Sequence, residues 1–198
     1  MRSKRFLFTV SIIFFLLGAS LSLFIYSSSS VEKDLRSQYL KAGDFQLSHQ
    51  GKPFKLSDLK GQPVILYFGY TSCPDVCPLG LAVIRDVLKS SEEFSKVKTL
   101  FVTLDPARDT PEVLQQYTAF FHPNIIPLTG SLSDIKGVIE AYGGFLRHHS
   151  PANEQQPDVY MVDHSAYYYL IDSNSELVRV IDHHVSAENL AESLRHLL

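Results

Sequence analysis

The uninterrupted apolar run Val64-Ile65-Leu66-Tyr67-Phe68-Gly69-Tyr70 constrains the fold more than any other stretch of this chain. It lies between Gly61-Gln62-Pro63 and Thr71-Ser72, and it shows no polar alternation. A strand of that kind is buried on both faces, so helices must cover it above and below. The sequence supplies them. After Pro78, the residues Val83, Ile84, Val87 and Leu88 repeat at the spacing of one helix face. Val97 to Leu104 reads as a second buried strand. Asp109-Thr110-Pro111-Glu112 reads as a helix start, with a capping residue and Pro in the first turn. Val113, Leu114, Tyr117, Phe120 and Phe121 form its expected inner face. Ile125 to Leu128 is a short strand, and Leu132, Ile135, Val138, Ile139 and Tyr142 mark a third helical face.

The last quarter is richer in strands. Val159 to Val162, Ala166 to Ile171 and Leu177 to Ile181 are expected strands, with Asp172-Ser173-Asn174-Ser175 turning between the latter two. Ser186 is placed to cap a closing helix that turns Ala187, Leu190, Ala191, Leu194 and Leu197 inward. Strands alternating with helices, then a hairpin and a helix, predict an α/β domain with a mixed sheet flanked by helices.

Ahead of this domain, the 21 residues from Phe6 to Tyr26 carry no charge. At about 1.5 Å per residue they span a hydrocarbon core of about 30 Å. Arg2, Lys4 and Arg5 precede them, and a Ser27–Ser30 run follows. The positive-inside bias puts residues 1–5 in the cytoplasm, makes 6–26 a single-pass anchor and sends the rest outside. A cleaved signal peptide, with Gly18-Ala19-Ser20 as its cleavage site, is the rival reading. The apolar stretch continuing through Leu21 to Tyr26 argues against it. Residues 27–42 are polar and serve as a linker, leaving 43–198 as the exported domain. A bacterial inner membrane with this domain in the periplasm fits best. The formal charge of −3 carries no polybasic signature, so nothing points to nucleic acid.

Two cysteines alone cannot staple a disulfide scaffold, so Cys73 and Cys77 need a local explanation. They lie where the first buried strand runs into its helix, the end of a sheet strand that ligand sites favour. Pro74 and Pro78 disfavour helical geometry in the residues before them, which assigns both cysteines to the loop. Across such a loop the Cα atoms can approach to about 6 Å, within disulfide reach. Unpaired N–H groups at the helix start stabilise a thiolate there. A structural disulfide, a redox dithiol and a metal site all remain open on the spacing alone. For a metal, two thiolates suit Cu(I), whereas structural zinc takes four protein ligands. Met161 is the one methionine beyond the initiator, so a third ligand is an imidazole or that thioether.

Eight histidines compete for the role. His148-His149 and His183-His184 are adjacent pairs whose side chains point apart on extended chain, so neither pair readily chelates one ion. His49 and His122 occupy turn-like contexts, and His196 lies on the exposed side of the last helix. His164 differs, standing in the segment Asp163-His164-Ser165 between two expected strands.

Three blocks together resemble the Sco/SenC family. They are Gly69-Tyr70-Thr71-Ser72-Cys73-Pro74-Asp75-Val76-Cys77-Pro78, Asp105-Pro106-Ala107-Arg108-Asp109-Thr110-Pro111-Glu112 and Val162-Asp163-His164-Ser165. Their order and spacing match, from about Gly43 to the C-terminus. The resemblance implies a thioredoxin-like fold, related to peroxiredoxins, that binds copper and helps metallate the CuA centre of cytochrome c oxidase. It places the copper ligands on Cys73, Cys77 and His164, for Cu(I) or Cu(II). Ser72 stands where many members carry His, which removes one auxiliary imidazole. Asp75 and Asp163 are expected to structure their loops, as are Asp105, Arg108 and Asp109 beside the site. The implied partners are the oxidase's copper-bearing subunit, a copper donor protein and a thioredoxin-like reductant. The role implied is a metallochaperone rather than an enzyme. A membrane-anchored thiol–disulfide oxidoreductase using the same cysteines is the alternative, although such enzymes usually separate them by two residues.

Overall fold

The computed structural model describes residues 42–149 and 160–198. The expected 6–26 anchor, most of the 27–42 linker and Val159 lie outside them. Among the described residues no helix is long and apolar enough to cross a membrane. A hairpin comes first, β1 (Gln46–His49) against β2 (Lys52–Lys55). Gln50 and Gly51 both take positive φ between them (49° and 77°), the backbone of a tight two-residue hairpin turn.

The central sheet is built on β3 (Val64–Gly69), whose six residues are all buried. It pairs in parallel with β4 (Lys98–Thr103), which pairs in parallel with β5 (Ile125–Leu128). On the other side β8 (Tyr167–Ile171) and β9 (Leu177–Asp182) add antiparallel strands, giving the order β5-β4-β3-β8-β9. The period-two pleat divides the core as the apolar run requires. Leu66 and Phe68 face one cluster with Leu100, Val102, Tyr169 and Ile139, whereas Ile65 and Tyr67 face another with Phe101, Leu81, Ile84 and Leu190.

Four helices cover these faces. α1 (Val76–Ser90) buries Cys77, Gly80, Leu81, Ile84, Val87 and Leu88. It starts before Pro78, so Cys77 is in its first turn and not in the loop. The first N–H groups of a helix have no internal partner, so Pro78 forfeits no hydrogen bond there. In α2 (Pro111–Phe121) the Thr110 side chain accepts from the Val113 N–H, and Pro111 opens the first turn, as expected. Its inner face is narrower than the sequence predicts. Leu114 and Phe121 are buried, Val113 and Phe120 are exposed, and Thr118 is buried with its hydroxyl donating to the Leu114 carbonyl (2.9 Å). That internal bond lets the Thr118 hydroxyl be buried without a partner from another element. α3 (Leu132–Ala141) and α4 (Ala187–Arg195) are capped by Ser131 and Ser186. Leu132, in the first turn of α3, is exposed.

A separate two-stranded sheet pairs β6 (Leu146–His148), which has no counterpart in the expected elements, with β7 (Val162–His164), which begins at the last residue of the strand expected over Val159–Val162. β6 is three residues long and its periodicity is invisible. Its partner draws His164 out of the expected loop and makes it the last residue of a strand, opposite Leu146.

Candidate metal centre

The dithiol segment leaves the carboxyl end of β3 and is fastened on several sides. The Cys73 N–H donates to the Tyr70 carbonyl (3.2 Å). The buried Asp109 carboxylate accepts from the Thr71 N–H (3.0 Å), the Thr71 hydroxyl and the Thr103 hydroxyl (2.6 Å). It thereby ties the loop to the end of β4. Burial pushes the Asp109 pKa up, and these hydrogen bonds hold it back. Beside it, Asp105 accepts from Arg108 Nε and from the Tyr160 hydroxyl (2.6 Å), while the Arg108 guanidinium lies 3.9 Å from the Tyr160 ring centroid. The Asp105–Arg108–Asp109 block thus braces the loop, as the sequence predicts.

The helix carrying Cys77 is fixed from below. The Tyr67 hydroxyl donates to the Val76 carbonyl and the Tyr168 hydroxyl to the Gly80 carbonyl, each at 3.2 Å. The two tyrosine rings stack with centroids 5.2 Å apart. Gly80 is required where α1 crosses them, because a Cβ there would stand 2.1 Å from Tyr67 Oη.

His164 reaches this dithiol from β7. Its Nε2 lies 3.7 Å from Cys77 Sγ. Its Nδ1 lies 3.0 Å from the Ser165 carbonyl, which can only accept, so the proton of the neutral ring sits on Nδ1 and the Nε2 lone pair faces the sulfur. The Ser165 N–H donates to the Phe145 carbonyl (3.2 Å), and its hydroxyl accepts from the Phe145 N–H (3.1 Å). Tyr70 packs edge-on against the imidazole, with centroids 5.9 Å apart.

Both cysteines are free thiols, Cys77 wholly buried and Cys73 nearly so. Their protons are shared unequally. A hydrogen bond from the Cys77 thiol, helped by the backbone of Asp75 and Cys77, holds Cys73 well below the usual thiol range, against its burial. The Cys73 sulfur and burial push Cys77 up. Of the two sulfurs, Cys73 is therefore the one that gives up its proton first. Cys73 and His164 open onto a hollow of about 450 Å³ lined also by Tyr70, Pro74, Phe145 and Met161, whereas Cys77 is not part of its lining. Two sulfurs and an unprotonated imidazole nitrogen converging beside it are a soft donor set, suited to Cu(I).

The family model that matches the chain is decisive at this point: the SCO1/SenC model covers residues 33–198. The chain belongs to the SCO1/SenC family. A SCO2-like protein of Rickettsia prowazekii is 35% identical over 191 residues, 91% of this chain and 92% of that protein. Mitochondrial SCO2 of Saccharomyces cerevisiae is 36% identical over 156 residues, 77% of this chain and about half (51%) of that longer protein. Among solved structures, Bradyrhizobium japonicum ScoI with copper bound superimposes with a TM-score of 0.70 at 34% identity, covering 79% of this chain and 99% of that one. The described residues therefore have the thioredoxin-like α/β architecture of Sco proteins.

Asp75 and Asp163 line the same hollow, and the remaining candidates lie away from it. Asp75 stands at the cap position of α1 without a side-chain capping bond, so the loop-structuring role expected of it is not seen. The exposed Asp163 binds His149 Nε2 (2.6 Å), which holds its carboxyl below the usual range. His49 bonds the Pro127 carbonyl (2.8 Å), and His122 accepts from the Asn124 N–H (3.1 Å). Phe145 and Met161, both exposed at the hollow, carry no signal in the sequence beyond Met161 being the lone internal methionine. Tyr160 and Ser165 carry none either, because their roles rest on pairings with distant Asp105 and Phe145.

Proposed function

We propose that Cys73, Cys77 and His164 bind copper, and that this Sco protein carries the ion to the CuA centre of cytochrome c oxidase. The observation that carries the reading is the His164 Nε2 lone pair facing Cys77 Sγ at 3.7 Å, with its ring proton committed to Ser165. A ring turned that way is ready to ligate without first losing a proton, whereas the dithiol must give up the one held on Cys77. Two thiolates favour Cu(I), and the imidazole also admits Cu(II). The related ScoI protein has copper bound, which supports copper as the ion. Incoming cysteines of a recipient subunit would displace the three ligands one at a time through the open hollow. In an oxidising periplasm the dithiol tends to close to a disulfide that holds no metal, so a thioredoxin-like reductant and a copper donor are part of the proposal. So is anchoring of the domain to the bacterial inner membrane by residues 6–26.

Copper stoichiometry and thiolate-to-copper absorption of the reduced full chain test this. One copper per chain is expected, with loss of the ion on Cys73→Ser or Cys77→Ser and weaker binding on His164→Ala. Binding by His164→Ala equal to that of the unsubstituted protein would refute the assignment. One observation favours thiol–disulfide exchange as a second reading: Cys73 lines the hollow while Cys77 is wholly buried, the arrangement of an attacking and a resolving sulfur. Insulin reduction that survives His164→Ala would support it.

A further inference from the structure

A second group of metal-ligating side chains lies outside the dithiol site. Asp182 ends β9, and Asp182-His183-His184-Val185 forms a tight turn into α4, closed by the Val185 N–H on the Asp182 carbonyl (3.2 Å). The adjacent histidines sit in this turn and not on extended chain, so their rings do not point apart. Their centroids are 3.8 Å from one another. Asp182 Oδ1 lies 2.7 Å from His184 Nδ1 and 3.5 Å from His183 Nδ1, and the three ligand atoms all fall within 4.8 Å. Ligands at about 2.0–2.1 Å from one ion stand about 2.9–3.4 Å apart in square or tetrahedral arrangements. Both carboxylate–imidazole spacings are close to that range, so small side-chain rotations would close the set around an ion.

We propose that Asp182, His183 and His184 form a second, sulfur-free copper site that takes Cu(II). Two imidazole nitrogens and a carboxylate oxygen are the donors Cu(II) prefers, and in the general order of divalent affinities Cu(II) outranks the other first-row ions. The remaining positions are open to water, because Asp182 and His184 are exposed. Strand register sets where this turn lies. Tyr67 pairs with Tyr168, and Tyr167 with Asp182, so the turn sits at the same end of the sheet as the β3–α1 segment. Two strand spacings, about 10 Å, separate β9 from β3. The two sites sort oxidation states by donor type: sulfur at the dithiol, nitrogen and oxygen at the turn. Because the turn has its own ligands, it binds whatever the dithiol's role.

The test removes the sulfurs. Full-length Cys73→Ser/Cys77→Ser protein in detergent, titrated with Cu(II), is expected to bind one equivalent. Its paramagnetic resonance spectrum is expected to be tetragonal, with hyperfine splitting from two nitrogens. Adding His183→Ala/His184→Ala is expected to weaken binding at least tenfold and to remove that splitting, and Asp182→Asn to weaken it less. Circular dichroism melts on the same samples show whether the turn variants keep the fold. A sulfur-free protein that binds no Cu(II) at about 100 μM overturns the proposal, as does an unchanged signal after both histidines are replaced. Either result leaves the dithiol assignment standing.

Discussion

Replacing Asp109 isolates the bracing that holds the dithiol loop. Asp109→Ala removes three acceptor contacts and leaves the Thr71 N–H and the Thr71 and Thr103 hydroxyls without their partner. Hydrogen bonds to a charged group contribute about 1.5–3 kcal/mol each, but burying this carboxylate offsets part of the total. A net loss of about 3 kcal/mol follows, or about 6–12 °C in Tm for a domain of this size. Asp109→Asn is a sharper probe. Its amide oxygen can keep the two contacts made by Oδ2, and its NH₂ group meets the Thr71 hydroxyl, which can turn to accept. The expected loss is about 1 kcal/mol or less. The sign of the pH dependence differs too. Burial raises the folded Asp109 pKa above its ordinary 3.8, so the folded state takes up this proton more readily than the unfolded one. The stabilisation is fully present below the unfolded value and fades as pH rises through the folded value. The unsubstituted protein therefore gains on Asp109→Asn as pH is lowered from about 7 towards 4. Melts followed by circular dichroism, with copper titrations alongside, check both parts. Equal losses for the Ala and Asn variants, or an Ala variant within about 2 °C of the parent, would refute the reasoning.

Gly80→Ala is expected to destabilise by about 2 kcal/mol or more despite its better helix propensity, because the added methyl meets Tyr67 Oη and Cζ at 2.1 and 2.6 Å. Chemical denaturation measures it, and adding Tyr67→Phe is expected to restore only part, since Cζ remains. Iodoacetamide at about pH 5 is expected to label Cys73 and spare Cys77, read by mass spectrometry of the modified peptides. Cys77→Ala is expected to slow that labelling at least tenfold, because the Cys77 hydrogen bond contributes most to the Cys73 thiolate.

Elements with strong periodicity are legible in the residues alone. β3 declares itself through continuous apolar residues, and Thr110 and Ser186 cap helices with the short polar side chains that caps favour. The β1–β2 hairpin and β6 are not legible, because three- and four-residue strands carry too little pattern and depend on partners distant in sequence. α1 starts earlier than expected because the rule for residues preceding proline describes an average, and a first-turn proline is the exception. The convergence of Cys77 and His164 is carried by the family resemblance; no local pattern links residues so far apart. Outward-facing Phe120 shows the converse limit, since helical spacing marks a stripe but cannot say how wide its covering is.

The imidazole and the sulfurs belong to segments 87 residues apart, one on β7 and the other on the β3–α1 connection. An ion shared between them would be a cross-link as well as cargo. β7 is held to its neighbour over three residue pairs, the Ser165–Phe145 contacts and the bonds of His149 to Asp163 and the Met161 carbonyl. Loading would then tighten that small sheet and unloading would free it, so hydrogen exchange across residues 145–148 and 162–165 becomes a report on occupancy. A recipient that competes for His164 would be pulling on a strand, and the ease with which that strand yields would set the rate of release.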